Sequence, residues 1–538
     1  QPRLIKLCIS IDSMILLASL AILGVSYSAL GDPEVTVSQG KMVGETLLSR
    51  DGREYSAFQR IPYAEPPVAE LRFRAPKPAK SWDGVLNATI VGPSCYQTAY
   101  LLYQDGLLGQ EDCLYLNVYT PDINASYPVM VYVHGGAFTH GWPGTPIKPS
   151  YFMDEDVVIV TLTYRLGILG FLSFEDDVIP GNYGIKDQVL ALEWVKNEIK
   201  NFGGNPDLIT VFGISAGAAS SHYLCSISKS KDLLKGCISQ SGVAGTIWSL
   251  HTPGDAKQMA VQLTNKLGCD KNSGLEVLTC LQAQPLESFI TTTDVEHITY
   301  LPIPVLEKPS NTAVITEWPT GNTDFPWIVG TVANEGLLIT EYIKDFATTL
   351  EKIGFYLAGD VLIKQALHLS GNVVGKLLKI KERFFEWKDF FNLLADYERF
   401  FTEAFFEYPI LKEMMRHNGP KYFYRFQYTG GPSLWEQASN KTLKIDGVCH
   451  GDDASYYFNL SNYYTPEGWP GPKDILLSKT LVKSWVHFAT HQVPYIEGVE
   501  WESFGDSASY VHITNDGILT ENFTNYEEIV DFWNNILS

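Results

Sequence analysis

Residues Val211 to Ser220 read Val-Phe-Gly-Ile-Ser-Ala-Gly-Ala-Ala-Ser, an apolar strand that runs into Gly-x-Ser-x-Gly and then into small residues able to open a helix. Few segments restrict a fold so strongly. The glycines at 213 and 217 leave room for a sharp strand-to-helix turn, and the turn forces Ser215 into a strained conformation with its hydroxyl above the edge of a sheet. A serine held there is placed to attack a carbonyl. The pattern alone arises by chance roughly one time in five in a chain this long, so the flanking sequence has to carry the argument. On such a scaffold an acid and then a histidine must follow the serine in chain order, and backbone donors for an oxyanion must lie on an earlier strand-loop.

The surrounding periodicity fits that requirement. Pro128 to His134 and Val157 to Leu162 are continuous apolar, β-branched runs, as expected of strands buried on both faces. Gly184 to Phe202 carries Ile185, Val189, Leu192, Val195 and Ile199 at helical spacing and stops at Gly203-Gly204-Asn205-Pro206. Leu208 to Phe212 leads into the turn, and Gly236 to Ser239, Trp327 to Val332 and Tyr422 to Phe426 are further strand candidates. Strands alternating with helices predict an α/β architecture, a central mostly parallel sheet with helices on both faces, whose site gathers at the carboxyl ends of the strands. The segment Phe384 to Phe406 holds eight phenylalanines, which predicts core helix packing and, as the sharper alternative, a wall lining an apolar substrate gorge.

Length and charge bound the function class. The chain has 538 residues, 45% of them hydrophobic, enough for several domains, yet the motifs from about residue 60 to residue 455 feed one site. The expected division is therefore a leader and secretory signal over 1–28 and one catalytic domain over 29–538. A net charge of -21 without a dense basic run argues against nucleic acid and anionic membrane as partners. Met14 to Val25 is almost wholly apolar, follows Arg3 and Lys6, and precedes Ser26-Tyr27-Ser28-Ala29, the layout of a secretory signal. Met14 reads as the start of translation, Gln1 to Ser13 as leader sequence, and cleavage is expected after Ser28. The stretch is too short for a stable membrane anchor. Sequons at Asn87, Asn124, Asn440, Asn459 and Asn522 agree with export and glycosylation. Of the eight cysteines, Cys8 leaves with the signal, Cys95 with Cys113 and Cys269 with Cys280 are closely spaced, and Cys225, Cys237 and Cys449 are expected as buried free thiols.

The loop Val133-His134-Gly135-Gly136-Ala137-Phe138 follows a buried strand and offers exposed N–H groups, as an oxyanion requires. With it stand Ile61-Pro62-Tyr63-Ala64-Glu65-Pro66-Pro67, Glu111-Asp112-Cys113-Leu114-Tyr115-Leu116-Asn117-Val118, Tyr164-Arg165 and Asp187-Gln188. In these motifs the chain, over about residues 35 to 535, resembles the type-B carboxylesterase and cholinesterase family of α/β-hydrolases. The resemblance implies Ser215 as nucleophile, Glu335 in Gly330-Thr331-Val332-Ala333-Asn334-Glu335-Gly336 as the acid, and His450 in Gly447-Val448-Cys449-His450-Gly451-Asp452-Asp453 as the base. It makes Gly136, Ala137 and Ala216 the oxyanion donors, Ser241 a support for the acid, and Trp248 an acyl-pocket aromatic. It also implies disulfides Cys95–Cys113 and Cys269–Cys280, structural ion pairs Arg72–Glu111 and Arg165–Asp187, a loop-ordering role for His134, and no metal or cofactor.

Departures from the family pattern narrow the substrate. Tyr96 to Asp112 contains no tryptophan of the choline-binding kind, which disfavours acetylcholine. Ile214 stands where juvenile hormone esterases usually carry glutamine, and Ala137 and the Cys-His-Gly-Asp-Asp box look most like secreted insect carboxylesterases. Arg60, where glycine is common, has no reading from sequence. The expected function is a secreted serine carboxylesterase acting on small apolar esters. Juvenile hormone clearance is the alternative within the class, and a catalytically silent neuroligin-like adhesion module the alternative outside it. Oligomeric state is not legible.

Overall fold

The computed structural model describes residues 32–98, 107–141, 147–291, 301–318, 323–340, 352–385, 390–433, 447–460 and 469–538. The expected signal peptide, Cys8 and Asn440 lie outside the described residues. The strands of the main sheet, in chain order, are β1 (Glu45–Leu48), β2 (Glu54–Pro62), β3 (Tyr115–Thr120), β4 (Tyr127–Val133), β5 (Val158–Leu162), β6 (Gly204–Ile214), β7 (Gly236–Gln240), β8 (Trp327–Val332), β9 (Lys421–Phe426), β10 (Ser509–Thr514) and β11 (Gly517–Asn522). They lie side by side as β11-β10-β9-β8-β7-β6-β4-β5-β3-β2-β1. From β5 across to β10 every neighbouring pair is parallel, while β3, β2 and β1 on one side and β11 on the other run antiparallel.

The unbroken apolar runs follow from burial on both faces. Along β4, Val129, Val131 and Val133 enter one core with Ile185, Leu192 and Val195 of helix α1 (Tyr183–Glu198). The alternate residues Met130 and Tyr132 enter a second core with Leu481, Trp485 and Phe488 of the helix Pro472–His491. Period-two side chains thus feed two different helical layers, and no position on the strand is left for a polar residue. Helix α1 begins after Asn182, whose side-chain N–H reaches the Val305 carbonyl at 2.7 Å. It passes into a 3₁₀ turn over Ile199–Phe202 that ends on Gly203 at φ 77, the left-handed position where glycine carries no steric penalty.

Arg60 acquires a structural explanation. The pairing of β2 with β3 slips between Phe58 and Ile61, and Arg60 occupies that bulge at φ 57. Its N–H donates to Asn117 Oδ1 at 2.9 Å and its guanidinium lies 5.4 Å from the centre of the Tyr115 ring, contacts that offset the conformational strain glycine would avoid.

Two disulfides close, Cys95–Cys113 and Cys269–Cys280, and Cys225, Cys237 and Cys449 are buried outside them. Asn87, Asn124 and Asn522 are exposed and Asn459 is half-buried. Among the described residues no helix is long and apolar enough to cross a membrane.

Candidate active site

The named residues lie on segments that follow the carboxyl ends of β4, β6, β8 and β9. Ser215 follows β6 at φ 61 and ψ -125 and caps helix α2 (Ala216–Ser226). The turn is possible because its flanking positions lack side chains. A Cβ on Gly213 would come within 2.5 Å of the Gly217 and Val133 carbonyl oxygens, and one on Gly217 would strike the Val133 carbonyl and sit 2.8 Å from the His134 carbonyl carbon. The Ser215 N–H donates to the Gln240 carbonyl at 2.8 Å, which fastens the turn to the end of β7.

Glu335 lies three residues past β8 and is fully buried. Its Oε2 is 2.5 Å from His450 Nδ1, and its Oε1 accepts the Val332 N–H at 2.9 Å. The two loops are stitched together beside this bond: the Asn334 N–H donates to the Val448 carbonyl at 3.0 Å, and Asn334 Oδ1 accepts the Val448 N–H at 3.2 Å. With Nδ1 held by a carboxylate, Nε2 is the imidazole nitrogen left to accept a proton. The Ser215 hydroxyl, by contrast, forms no hydrogen bond among the described residues. An aromatic pair links the two loops. The His450 ring packs 4.8 Å from Phe406, Phe406 lies 5.7 Å from Trp248, and a Cβ on Gly242 would touch both Trp248 and the Ser215 carbonyl. Bonds of this kind commonly close only when substrate binds.

The turn after β4 holds two of the expected donors. Gly136 at φ 113 and Ala137 at φ 53 donate no backbone hydrogen bond among the described residues, and Gly135 packs against the Ser215 side chain, where an added Cβ would lie 3.0 Å from that of Ser215. Ala216 opens α2, so its N–H has no intrahelical acceptor. His134 orders this turn. Its Nδ1 bonds the Gly135 carbonyl at 2.9 Å, its ring stacks on Tyr164 at 4.4 Å, and burial pushes its pKa down to about 4, which keeps it uncharged.

Ser241, expected as a support for the acid, adopts φ 59, and among the described residues its buried hydroxyl forms no hydrogen bond, to Glu335 or otherwise. Trp248 does stand beside the site, its indole N–H donating to the Phe405 carbonyl at 2.9 Å. The Phe-rich segment divides between both readings: Phe384, Phe400, Phe401 and Phe405 are core residues, whereas Phe406, in the π-helical turn Thr402–Glu407, also faces His450. The ion pairs form as expected, Arg72 to Glu111 at 2.6 and 2.7 Å and Arg165 to Asp187 at 2.6 and 2.8 Å, and both hold loops together.

Sequence reasoning missed Gln97. Its side-chain oxygen accepts the Gly141 N–H at 2.8 Å while its amide donates to the Cys95 carbonyl at 3.1 Å, so the first disulfide loop grips the end of the oxyanion turn. No motif marks a lone glutamine for such a task.

A mixed eleven-stranded sheet with a strained serine after a central strand, and an acid and histidine on later loops, defines an α/β-hydrolase. The model of the carboxylesterase family matches residues 31–533, and the chain belongs to that family. It is a carboxylic ester hydrolase. The chain is 33% identical to a carboxylic ester hydrolase of Bombus ignitus over 97% of its own length and 98% of the other's. It is also 33% identical to a juvenile hormone esterase of Tribolium castaneum, covering 86% and 84% of the two chains. A crystal structure of juvenile hormone esterase from Manduca sexta, with OTFP covalently attached, superimposes with a TM-score of 0.83 at 24% identity, covering 94% of this chain and 99% of that one, which speaks for the fold.

Proposed function

We propose that the protein is a secreted serine carboxylesterase that hydrolyses apolar esters through an acyl-enzyme, with residues 29–538 forming one catalytic domain. The observation that carries this reading is the buried 2.5 Å contact between Glu335 and His450, opposite a strained serine flanked by unengaged amides. In the first half-reaction His450 Nε2 takes the Ser215 proton as Oγ attacks the ester carbonyl. The N–H groups of Gly136, Ala137 and Ala216 hold the oxygen that becomes negative, and Glu335 stabilises the imidazolium. Collapse expels the alcohol, which receives that proton. Water then repeats the sequence on the acyl-serine and releases the acid. Trp248 and Phe406 give the acyl side an aromatic wall, which favours apolar acyl groups. Export is supported by the apolar segment over Met14 to Val25 and by the sequons.

The test is hydrolysis of a short-chain nitrophenyl ester by Ser215→Ala. Turnover should fall by about 10⁴-fold or more, leaving only what binding and the oxyanion donors provide. Labelling by an organophosphate should vanish with it. Activity that survives the substitution in folded protein refutes the mechanism. Juvenile hormone esters belong in the substrate panel because a hormone esterase is among the relatives.

A further inference from the structure

Asp453 lies three residues beyond His450 and is completely buried. Its Oδ2 accepts two hydrogen bonds, from Gln240 Nε2 at 2.9 Å and from the Tyr424 hydroxyl at 3.1 Å. Two oxygens are then left over. Asp453 Oδ1 and Gln240 Oε1 are both buried, and neither has a hydrogen-bond partner among the described residues. The titratable groups facing the carboxyl are Glu335 on the loop after β8, His450 and Tyr457 on its own loop, Tyr424 on β9 and Tyr132 on β4. None of these is a lysine or arginine. An ionised Asp453 would sit desolvated beside a second carboxylate with one oxygen unserved, a costly arrangement.

A single proton removes both defects. On Oδ1 it donates to Gln240 Oε1 while Gln240 Nε2 donates to Asp453 Oδ2, closing the two-bond ring that a carboxylic acid forms with a carboxamide. We propose that Asp453 is held as a neutral acid in the resting enzyme and that, as half of this acid–amide ring, it is a positioning residue for His450. Gln240 is the residue whose carbonyl holds the Ser215 N–H, so the ring joins the nucleophile turn to the loop carrying the base. Neutrality also matters for the reaction. A second anion beside the imidazole would favour its protonated form and remove the neutral base, whereas the uncharged ring leaves Glu335 as the carboxylate that acts on His450. In agreement, burial first and the Glu335 charge second push the Asp453 carboxyl up to about 6, against the Gln240 and Tyr424 bonds, and a bond made only by the acid form moves it further the same way.

This inference rests on His450 being the base, and its test is built so that the two can fail separately. Asp453→Leu breaks both ring bonds and should lower kcat about tenfold or more with KM little changed, whereas Asp453→Asn, which rebuilds the ring as an amide pair, should restore kcat to within about threefold of the parent. Infrared difference spectra of the parent minus Asp453→Asn at neutral pH should carry the carbonyl band of a protonated carboxylic acid. That band does not depend on turnover, so it survives even if Ser215→Ala overturns the catalytic reading. Carboxylate bands in its place, or an asparagine variant as impaired as the leucine one, overturn the proposal.

Discussion

Replacing Glu335 by glutamine keeps the shape of the side chain and removes one charge, so the structure fixes what must go wrong. Two N–H groups point at the carboxylate, from Val332 at 2.9 Å and from His450 Nδ1 at 2.5 Å, and a carboxamide has one oxygen to offer them. If that oxygen serves Val332, the amide N–H₂ faces Nδ1, which must become the acceptor. Nε2 then carries the proton and cannot take another from Ser215. If the oxygen serves His450 instead, two donors confront each other in a site without solvent, at about 1–3 kcal/mol. The missing charge adds to either outcome. Two unit charges about 4 Å apart at an effective dielectric of about 20 interact by about 4 kcal/mol, or roughly 10³-fold in rate when the imidazolium of the transition state loses its partner. Together with the wrong tautomer, kcat should fall about 10⁴-fold, the loss that the corresponding amide substitution causes in serine proteases. The assay is steady-state hydrolysis of a nitrophenyl ester, with circular dichroism to establish that the variant is folded. KM should change little, because Glu335 is buried beneath His450 and touches no bound ester. A folded variant that loses less than about tenfold in kcat would falsify the assignment of Glu335 as the acid.

Trp248→Ala removes the indole beside Gly242 and Phe406, so kcat/KM for hexanoyl over acetyl esters should rise by about tenfold or more; an unchanged ratio removes Trp248 from the acyl side. Gly217→Ala sets a methyl group against the Val133 and His134 backbone, where no flexible side chain can yield. It should destabilise the fold by about 1–3 kcal/mol or more and abolish organophosphate labelling, read from a denaturation midpoint and a gel of labelled protein. Titration gives the Asp453→Asn comparison a sign as well. The folded carboxyl is raised above its ordinary value of 3.8, to about 6 before the ring bond lifts it further, so the stability it contributes is complete below about 4 and is lost only as pH rises past the folded value. The asparagine variant lacks this loss and should gain on the parent in melting temperature across that window.

The sequence made the middle of the molecule legible and left its margins obscure. Trp327–Val332 was delimited to the residue, and β4, β5 and β9 to within one residue at either end, because strands buried on both faces write themselves as unbroken apolar runs. The antiparallel strands β2, β3 and β11, and β10 at the edge of the parallel run, carry mixed patterns, as in Glu-Tyr-Ser-Ala-Phe-Gln-Arg of β2 with its bulge, and periodicity alone does not single them out. Ser215, Glu335 and His450, the proposed serine, acid and base, each sit inside an ordered motif that marks them in the sequence. Asp453 stood in one of those motifs, but its partner Gln240 lies 213 residues away, and only the fold discloses two buried oxygens lacking donors. Ser241 differs again: the motif predicts a support for Glu335, and among the described residues its buried hydroxyl makes no hydrogen bond to that carboxylate.

Phe406, the ring of the aromatic wall that faces His450, sits in the π-helical turn between the helices Phe390–Phe401 and Tyr408–Arg416, all inserted between β8 and β9. The sheet does not need that excursion to stay paired, since β8 and β9 bond each other directly over six residues. A change at Phe406 can therefore redraw which acyl chains are accepted while the strands that carry the site stay paired. A lineage confronting new esters has a replaceable jig mounted on a permanent bench.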